Sequence, residues 1–201
     1  MPLSFLISSV YFRSSWKYRN RSIQYILLDS GHSLGAIYAA LCAMGKDSQI
    51  NFEFDKLTLN DMFGFRDDAM FIANIASTTQ SKTLCKPLKR KFPFVPPSDH
   101  LESNEFIETT YKNSANYSSN PIEQVPFLKD IPKEQLKNAI LNRRSIRAFT
   151  MKSISKGEFE FIIEDIFSFA QQISIEIFYT LHRVDEIEQG IYKKWHTTVK
   201  R

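Results

Sequence analysis

The chain has 201 residues, of which 43% are hydrophobic and 24% are charged. This composition is typical of a globular protein with a packed core and excludes a chain that is disordered throughout. The net charge of +4 is too small to identify a nucleic-acid-binding protein, so we expect no nucleic-acid partner.

The first strong pattern is an apolar stretch from Tyr25 to Met44, which is long enough to cross a membrane. It carries Asp29 and His32 near its middle, and a charged side chain at mid-bilayer costs about 3 kcal/mol. We therefore expect no membrane span. The stretch from Ser30 to Gly45 instead predicts a soluble helix that is buried on nearly all sides, with a serine at its start and a glycine at its end.

The next segments differ sharply in character. Residues Met70 to Ala76 form a short apolar run without helical spacing, which predicts a central β-strand. From about Thr78 to Asp130 the chain is rich in Ser, Thr, Asn, Pro and Lys, and its prolines interrupt regular structure. This segment predicts a linker or an extended arm along the surface.

Regular structure is expected again from Asp130-Ile131-Pro132, a helix-start signal that leads to a basic corner at Arg143. Its apolar face is predicted to hold Leu136, Ala139 and Ile140. A second helix follows Ser155, because Ser155 and Glu158 have the spacing of a capping box and apolar residues recur at steps of three and four from Phe159 to Ala170.

The last elements are predicted to be two strands. Apolar and polar residues alternate from Ile175 to Leu181, and the turn signal Glu188-Gln189-Gly190 precedes Ile191-Tyr192. Helices and strands mixed in this way predict an α+β fold. The two cysteines, Cys42 and Cys85, lack metal-ligand spacing, so we expect no metal site; with no signal peptide at the N-terminus, a cytoplasmic setting is expected.

The basic corner carries the first family resemblance. Arg143-Arg144-Ser145-Ile146-Arg147 resembles the N-terminal signature of the nitroreductase superfamily, whose members hold the phosphate and ribityl chain of FMN at such a corner. The resemblance implies that Arg143, Arg144, Ser145 and Arg147 bind FMN. A helix C-terminus is negative and does not attract anions, so the guanidinium groups and the hydroxyl must bind the phosphate. The alternative is a basic helix end that only complements the dipole.

Two further segments resemble the SagB-type dehydrogenases of that superfamily. Lys17-Tyr18 followed by the Gly31-His32 helix resembles the second half of such an enzyme, and the stretch from Ile177 to Tyr192 resembles its hairpin. The resemblance implies that Lys17 or Tyr18 is a catalytic base, a role that requires a partly desolvated site. The alternative is an ordinary exposed pair beside Trp16.

These segments stand in an unusual order. Residues 1–77 resemble the C-terminal half of a nitroreductase module, residues 78–130 are the predicted linker, and residues 131–201 resemble the N-terminal half. The chain is then either a piece of a protein with two modules in tandem or a circular permutation. We therefore expect an α+β, nitroreductase-like, FMN-dependent fold that is incomplete or permuted.

The function expected from the resemblance is that of an FMN-dependent oxidoreductase, a flavoprotein that transfers a hydride between its substrate and flavin. The substrate would be a small molecule or a peptide, and a homodimer is possible. The alternative is a non-catalytic remnant or an interaction module of the same fold without flavin. A third reading, nucleic-acid binding, would depend on Lys89, Arg90 and Lys91.

Overall fold

The computed structural model describes residues 4–65, 69–77, 89–93, 100–115, 131–172, 176–193 and 197–198. They belong to two compact units. Unit 1 comprises residues 1–119 and 131–141, and unit 2 comprises residues 120–130 and 142–201. The assignment of residues 1–77 and 131–201 to the two halves of a nitroreductase module stays a prediction.

Unit 1 is built from one antiparallel sheet and the helices around it. Its strands are β1 (Ser4–Val10), β2 (Ser48–Asn51) and β3 (Ala69–Ser77). Its helices are α1 (Phe12–Tyr18), a short 3-10 helix (Arg19–Arg21), α2 (Ser22–Ala43), α3 (Lys56–Met62), α4 (Glu105–Ala115) and α5 (Lys133–Asn142). The strand order is β1-β3-β2.

Strand β3 is the centre of this sheet, which confirms the strand predicted from Met70 to Ala76. Both of its edges are paired, with Phe5 and Ile50 on either side of Ile75. Phe71, Ala73 and Ile75 are fully buried. The register of β1 against β3 shifts between Ile7 and Ser8, where β3 has one extra residue, Ile72.

The long helix α2 ends as predicted but begins earlier. Gly45 has a φ of 68°, and its N–H and that of Lys46 donate to the carbonyls of Cys42 and Leu41, which is the hydrogen-bond pattern of a Schellman end. The predicted start at Ser30 is wrong. Ser30 lies in the middle of α2, and its hydroxyl donates to the Ile26 carbonyl at 2.7 Å, so it caps nothing.

The expectation that this helix is buried on nearly all sides is also wrong. Its buried residues form one stripe that packs against the sheet, and His32 and Ala36 within the predicted stretch are exposed. The stripe consists of Ser22, Ile26, Ser30, Leu34, Tyr38 and Leu41. Among the described residues, the helical stretch Phe12–Ala43 is long and apolar enough to cross a membrane, a test that core helices of soluble proteins also pass.

Helix α4 corrects the expectation of little regular structure between Thr78 and Asp130. Ile107 is 0% exposed and packs in a cluster with Tyr11, Ile26, Met70 and Tyr111. The prolines and polar residues dominate this part of the sequence, whereas the helix depends on only two apolar side chains four residues apart. Most of the expected linker, residues 78–88, 94–99 and 116–130, lies outside the described residues.

Helix α5 begins directly after Pro132, as predicted, and the Leu136 N–H donates to the Pro132 carbonyl at 3.0 Å. The predicted apolar face is only partly realised. Leu136 is buried, whereas Ala139 and Ile140 are exposed.

Unit 2 consists of one helix and a small antiparallel sheet. The helix is α6 (Lys156–Gln172), and the strands are β4 (Phe178–Leu181), β5 (Gly190–Lys193) and β6 (Thr197–Thr198), in the order β4-β5-β6. The predicted hairpin is confirmed, with Tyr179 opposite Tyr192. The strand predicted from Ile175 begins at Phe178, and residues 173–175 lie outside the described residues.

The core of unit 2 is a row of aromatic rings between α6 and the sheet. The Phe159 and Phe167 rings lie 5.7 and 5.6 Å from the Tyr179 ring, which stacks on Tyr192 at 5.7 Å. A second apolar stripe on α6 is not covered, since Phe161 is 81% exposed. The apolar spacing of α6 therefore provides two faces, of which the hairpin covers one.

The capping box at the start of α6 provides a test of unit 2. The Ser155 Oγ accepts the Glu158 N–H at 3.2 Å, and the Ser155 N–H donates to the Glu158 carboxylate at 2.8 Å. We expect Ser155→Ala to lower the free energy of unfolding by about 1 kcal/mol, measured by denaturant titration of far-UV circular dichroism. Ser153→Ala, an exposed serine outside the box, is the control, and equal effects would contradict the capping role.

The same box has a defined pH dependence. Hydrogen bonds from Ser155 lower the pKa of Glu158 below its ordinary value of 4.5. Its contribution to stability is therefore present above the unfolded pKa and is lost as the pH falls through the lower folded pKa.

The buried position of Ile107 tests the assignment of α4 to the core of unit 1. We expect Ile107→Ala to destabilise the unit by about 2–5 kcal/mol, because it leaves a cavity in a packed cluster. Phe106→Ala is the matched control, since the Phe106 side chain is 53% exposed. Thermal unfolding, followed by circular dichroism, measures the stability of both variants. If Ile107→Ala unfolds at the same temperature as the parent chain, α4 does not belong to the core of unit 1.

Candidate functional site

The basic corner predicted to bind FMN lies in unit 2, in the segment that follows α5. Arg143, Arg144, Ser145 and Arg147 are all exposed, and residues 143–150 form no helix or strand. Within the described part of the chain, none of these four side chains makes a hydrogen bond or an ion pair. Three guanidinium groups that are not neutralised, together with one hydroxyl, are a donor set that fits a phosphate group.

The far end of this segment is fixed to the hairpin of unit 2. Ile154 donates its N–H to the Arg183 carbonyl at 3.2 Å and accepts the Asp185 N–H at 2.9 Å. The Arg183 guanidinium contacts the Met151 sulfur at 3.4 Å. The chain between α5 and α6 is therefore held at Ile154, while the basic corner itself stays accessible to a ligand. That the four side chains converge on one anion stays a prediction.

The predicted catalytic pair lies in unit 1, at the end of α1. The Lys17 ammonium is 5.4 Å from the centroid of the Tyr18 ring, and the Tyr18 and Tyr25 rings are 4.8 Å apart. The Arg21 guanidinium is 5.6 Å from the Tyr25 ring. Lys17 is exposed and Tyr18 is 44% exposed. Residues of unit 1 thus order the pair without providing the desolvated setting that a lysine base requires.

The turn that carries this pair has an unusual backbone. Arg19 adopts φ 51° and ψ −134°, a conformation that is strained for a residue with a Cβ. Its guanidinium pairs with Glu102 at 3.5 Å, and Asn20 accepts a hydrogen bond from Asn104 at 3.1 Å. The turn between α1 and α2 is therefore tied to the residues that lead into α4.

The Gly31-His32 pair departs from the family pattern. In the SagB-type dehydrogenases that the sequence resembles, this pair starts a helix. Here Gly31 lies inside α2, nine residues after the first residue of the helix, and both Gly31 and His32 are exposed. The structure therefore gives His32 no role at a helix N-terminus.

Sequence reasoning missed a cavity of about 470 Å³ in unit 1. Asn60 lies at its wall and links two elements, because its carbonyl oxygen accepts the Phe71 N–H at 3.0 Å and its amide donates to the Tyr111 hydroxyl at 3.1 Å. Burial raises the pKa of Tyr111, and the hydrogen bond from Asn60 acts in the opposite direction. Asn60 and Tyr111 are 51 residues apart, so no local pattern indicates the pair.

A second hydrogen-bond network in unit 1 joins Tyr11 to the first turns of α4. The Tyr11 hydroxyl donates to the Glu108 carboxylate and accepts the Asn104 N–H at 3.1 Å. Asn104 also accepts the Ile107 N–H at 3.1 Å and so caps α4. Among the described residues, no three His, Cys, Asp or Glu side chains lie close enough together to hold a metal ion.

Comparison with known proteins identifies the fold. No protein-family model matches the sequence, and no curated protein matches it. A crystal structure at 1.80 Å of a protein from Anabaena variabilis, provisionally described as a nitroreductase, matches 94% of this chain with a TM-score of 0.63 and 18% identity. The match covers 46% of that protein, so this chain spans about half of its length. The chain therefore has the predicted α+β, nitroreductase-like fold.

The Asn60 network gives a prediction for the cavity of unit 1. In Asn60→Leu, the hydrogen bond that favours the ionised Tyr111 is lost, so the pKa of Tyr111 should rise further. The unpaired Phe71 N–H should also cost about 1–3 kcal/mol of stability. NMR titration of ring-labelled tyrosine measures the first effect and urea unfolding the second. Asn113→Leu, at an exposed amide, is the control, and an unchanged Tyr111 titration in Asn60→Leu would contradict the linkage.

Proposed function

We propose that this chain is part of an FMN-dependent oxidoreductase of the nitroreductase type, which transfers a hydride between its substrate and flavin. The observation that carries the proposal is the exposed basic corner of unit 2 in a chain with a nitroreductase-like fold. Within the described residues, Arg143, Arg144 and Arg147 neither pair with a carboxylate nor lie over an aromatic ring. Their charge is available to a phosphate group.

The protein residues would hold and orient the cofactor. Arg143, Arg144 and Arg147 would donate paired N–H groups to the FMN phosphate, and the Ser145 hydroxyl would donate one more hydrogen bond. The bound flavin supplies the hydride chemistry. Because the corner follows the C-terminus of α5, the helix dipole does not assist, and the side chains carry the whole attraction.

The finer assignment to the SagB-type dehydrogenases rests on the sequence resemblance. In that assignment Lys17 or Tyr18 accepts the proton that the substrate loses. The ring contact with Tyr25 supports Tyr18 in particular, because it orders the phenol. The same proposal includes a small-molecule or peptide substrate, a cytoplasmic setting and a homodimer. It also includes the order of the segments, which is that of a tandem piece or of a circular permutation.

A non-catalytic interaction module is the second candidate. The observation that favours it is the uncovered apolar surface in each unit, represented by Leu28 in unit 1 and Phe161 in unit 2. Uptake of FMN by the purified chain separates the two candidates.

The basic corner is tested with Arg143→Ala. Loss of a charge-assisted hydrogen bond of about 1.5–3 kcal/mol should weaken FMN binding about tenfold or more. Quenching of flavin fluorescence during titration measures the dissociation constant, and circular dichroism should show an unchanged fold because the side chain is exposed. Lys152→Ala, which removes an exposed positive charge beyond the corner, should bind FMN like the parent chain.

Two outcomes are decisive. If Arg143→Ala binds FMN as tightly as the parent chain, Arg143 does not bind the phosphate. A parent chain that takes up no FMN removes the oxidoreductase proposal and leaves the interaction module.

A further inference from the structure

The cavity of unit 1 lies between α3 and α4, next to the first residue of β3. We call it the α3–α4 cavity and define it by Leu57 and Asn60 of α3, by Phe65, and by Glu108 and Tyr111 of α4. Its volume of about 470 Å³ falls within the range of roughly 300–1,000 Å³ that is typical of small-molecule sites. The cavity is therefore large enough for a small organic ligand.

The Glu108 carboxylate in the wall of this cavity has no described counter-ion. It is half-buried, and one of its oxygens accepts a hydrogen bond from the hydroxyl of Tyr11, which is 1% exposed. Among the described residues, no cationic side chain forms an ion pair with Glu108, and its second oxygen accepts no hydrogen bond. A carboxylate that is partly removed from water is costly unless a cation or further donors compensate its charge. Glu108 therefore favours a cation in the cavity.

The other charged groups of the wall do not supply that cation. The Asp61 carboxylate already pairs with the Lys91 ammonium, and both side chains are exposed. Lys112 lies four residues after Glu108 on α4 and lines the same cavity, but the two side chains form no ion pair. The carboxylate on α3 is thus compensated within the described part of the chain, and the carboxylate on α4 is not.

The rest of the wall suits an aromatic ring. The Phe65 ring stacks on the Phe71 ring at 4.8 Å, and Phe71 is 2% exposed, so a buried neighbour fixes Phe65 in place. Phe65 itself is half-buried, and Leu57 and Ala69 extend the apolar part of the wall. A planar ring that packs on Phe65 would remove apolar surface from water on both sides.

From the unpaired carboxylate and the apolar wall we infer that the α3–α4 cavity binds a primary arylalkylamine. The ammonium group donates to the second oxygen of Glu108, and the aromatic ring packs on Phe65 and Leu57. A metal ion fits less well, because no three His, Cys, Asp or Glu side chains among the described residues lie close enough together to hold one. This site lies within unit 1 and does not rest on the proposed flavin chemistry.

The test compares 2-phenylethylamine with 2-phenylethanol, which have nearly the same shape, although only the amine is charged at neutral pH. The full chain with ring-labelled tyrosine is titrated at low salt, and the NMR signals of Tyr111 in the cavity wall measure the dissociation constants. We expect the amine to bind about five- to tenfold more tightly than the alcohol, because only its ammonium makes a charge-assisted hydrogen bond to Glu108.

Two variants and one control assign this preference to Glu108. Glu108→Gln keeps an oxygen that accepts from Tyr11 but removes the charge, so the amine should bind about five- to tenfold more weakly and the alcohol as before. Lys112→Gln removes a positive charge from the wall and should strengthen amine binding about twofold. Glu105→Gln removes an exposed carboxylate from the first turn of α4, outside the cavity wall, and should bind both probes like the parent chain.

Several results overturn the inference. They are equal affinity of the parent chain for the two probes, unchanged amine affinity in Glu108→Gln, and an equal loss in Glu105→Gln, which would show only a general attraction between charges. If circular dichroism shows that Glu108→Gln does not fold, Lys112→Gln decides, and unchanged or weaker amine binding in that variant is the contrary result. Because the titration contains no flavin, its outcome is distinct from FMN uptake by the basic corner.

Discussion

The burial of β3 is the constraint on which unit 1 depends. Ala73 and Ile75 lie on the same face of the strand and are 0% exposed, so the strand must be paired at both edges and covered on that face. Strands β1 and β2 satisfy the edges, while α2 and α3 pack against the sheet and Met70 joins the cluster around Ile107. The turn that carries Lys17 and Tyr18 lies between β1 and α2, so its position follows from the same burial. Among the described residues of unit 2 no strand is buried along its length, and the unit depends instead on the ring contacts of Tyr179.

Sequence reasoning predicted the parts of the fold that have local physical causes. The capping box at Ser155 and the Schellman end at Gly45 each depend on residues within five positions of one another. The hairpin first pairs Leu181 with Gly190, only nine positions further along the chain. Helix α4 was missed because its stability depends on Ile107 packing against Tyr11 and Met70, which are distant in sequence. The start of α2 was misplaced because a serine that can cap a helix also fits inside one when its hydroxyl donates to a carbonyl four residues earlier.

The parts of the candidate site also differ in whether the sequence alone can predict them. The basic corner could be identified from its residue types and spacing, and the structure adds that its charges have no described partners. The Asn60 and Tyr111 pair, by contrast, forms only when α3 and α4 meet, and no spacing within either helix indicates it. The ring contacts of Tyr18 can be predicted from the sequence only in part. Residues 17 to 25 are close in sequence, but the rings meet because the backbone turns at Arg19.

That turn has an evolutionary consequence. A glycine at position 19 would relieve the strain of φ 51° and would stabilise the turn, whereas an arginine in this conformation costs about 1–3 kcal/mol. Selection for stability alone would therefore replace Arg19 over time. Related sequences that have lost the use of this turn should drift towards glycine at this position, while those that still use it should keep a long cationic side chain opposite an acid equivalent to Glu102.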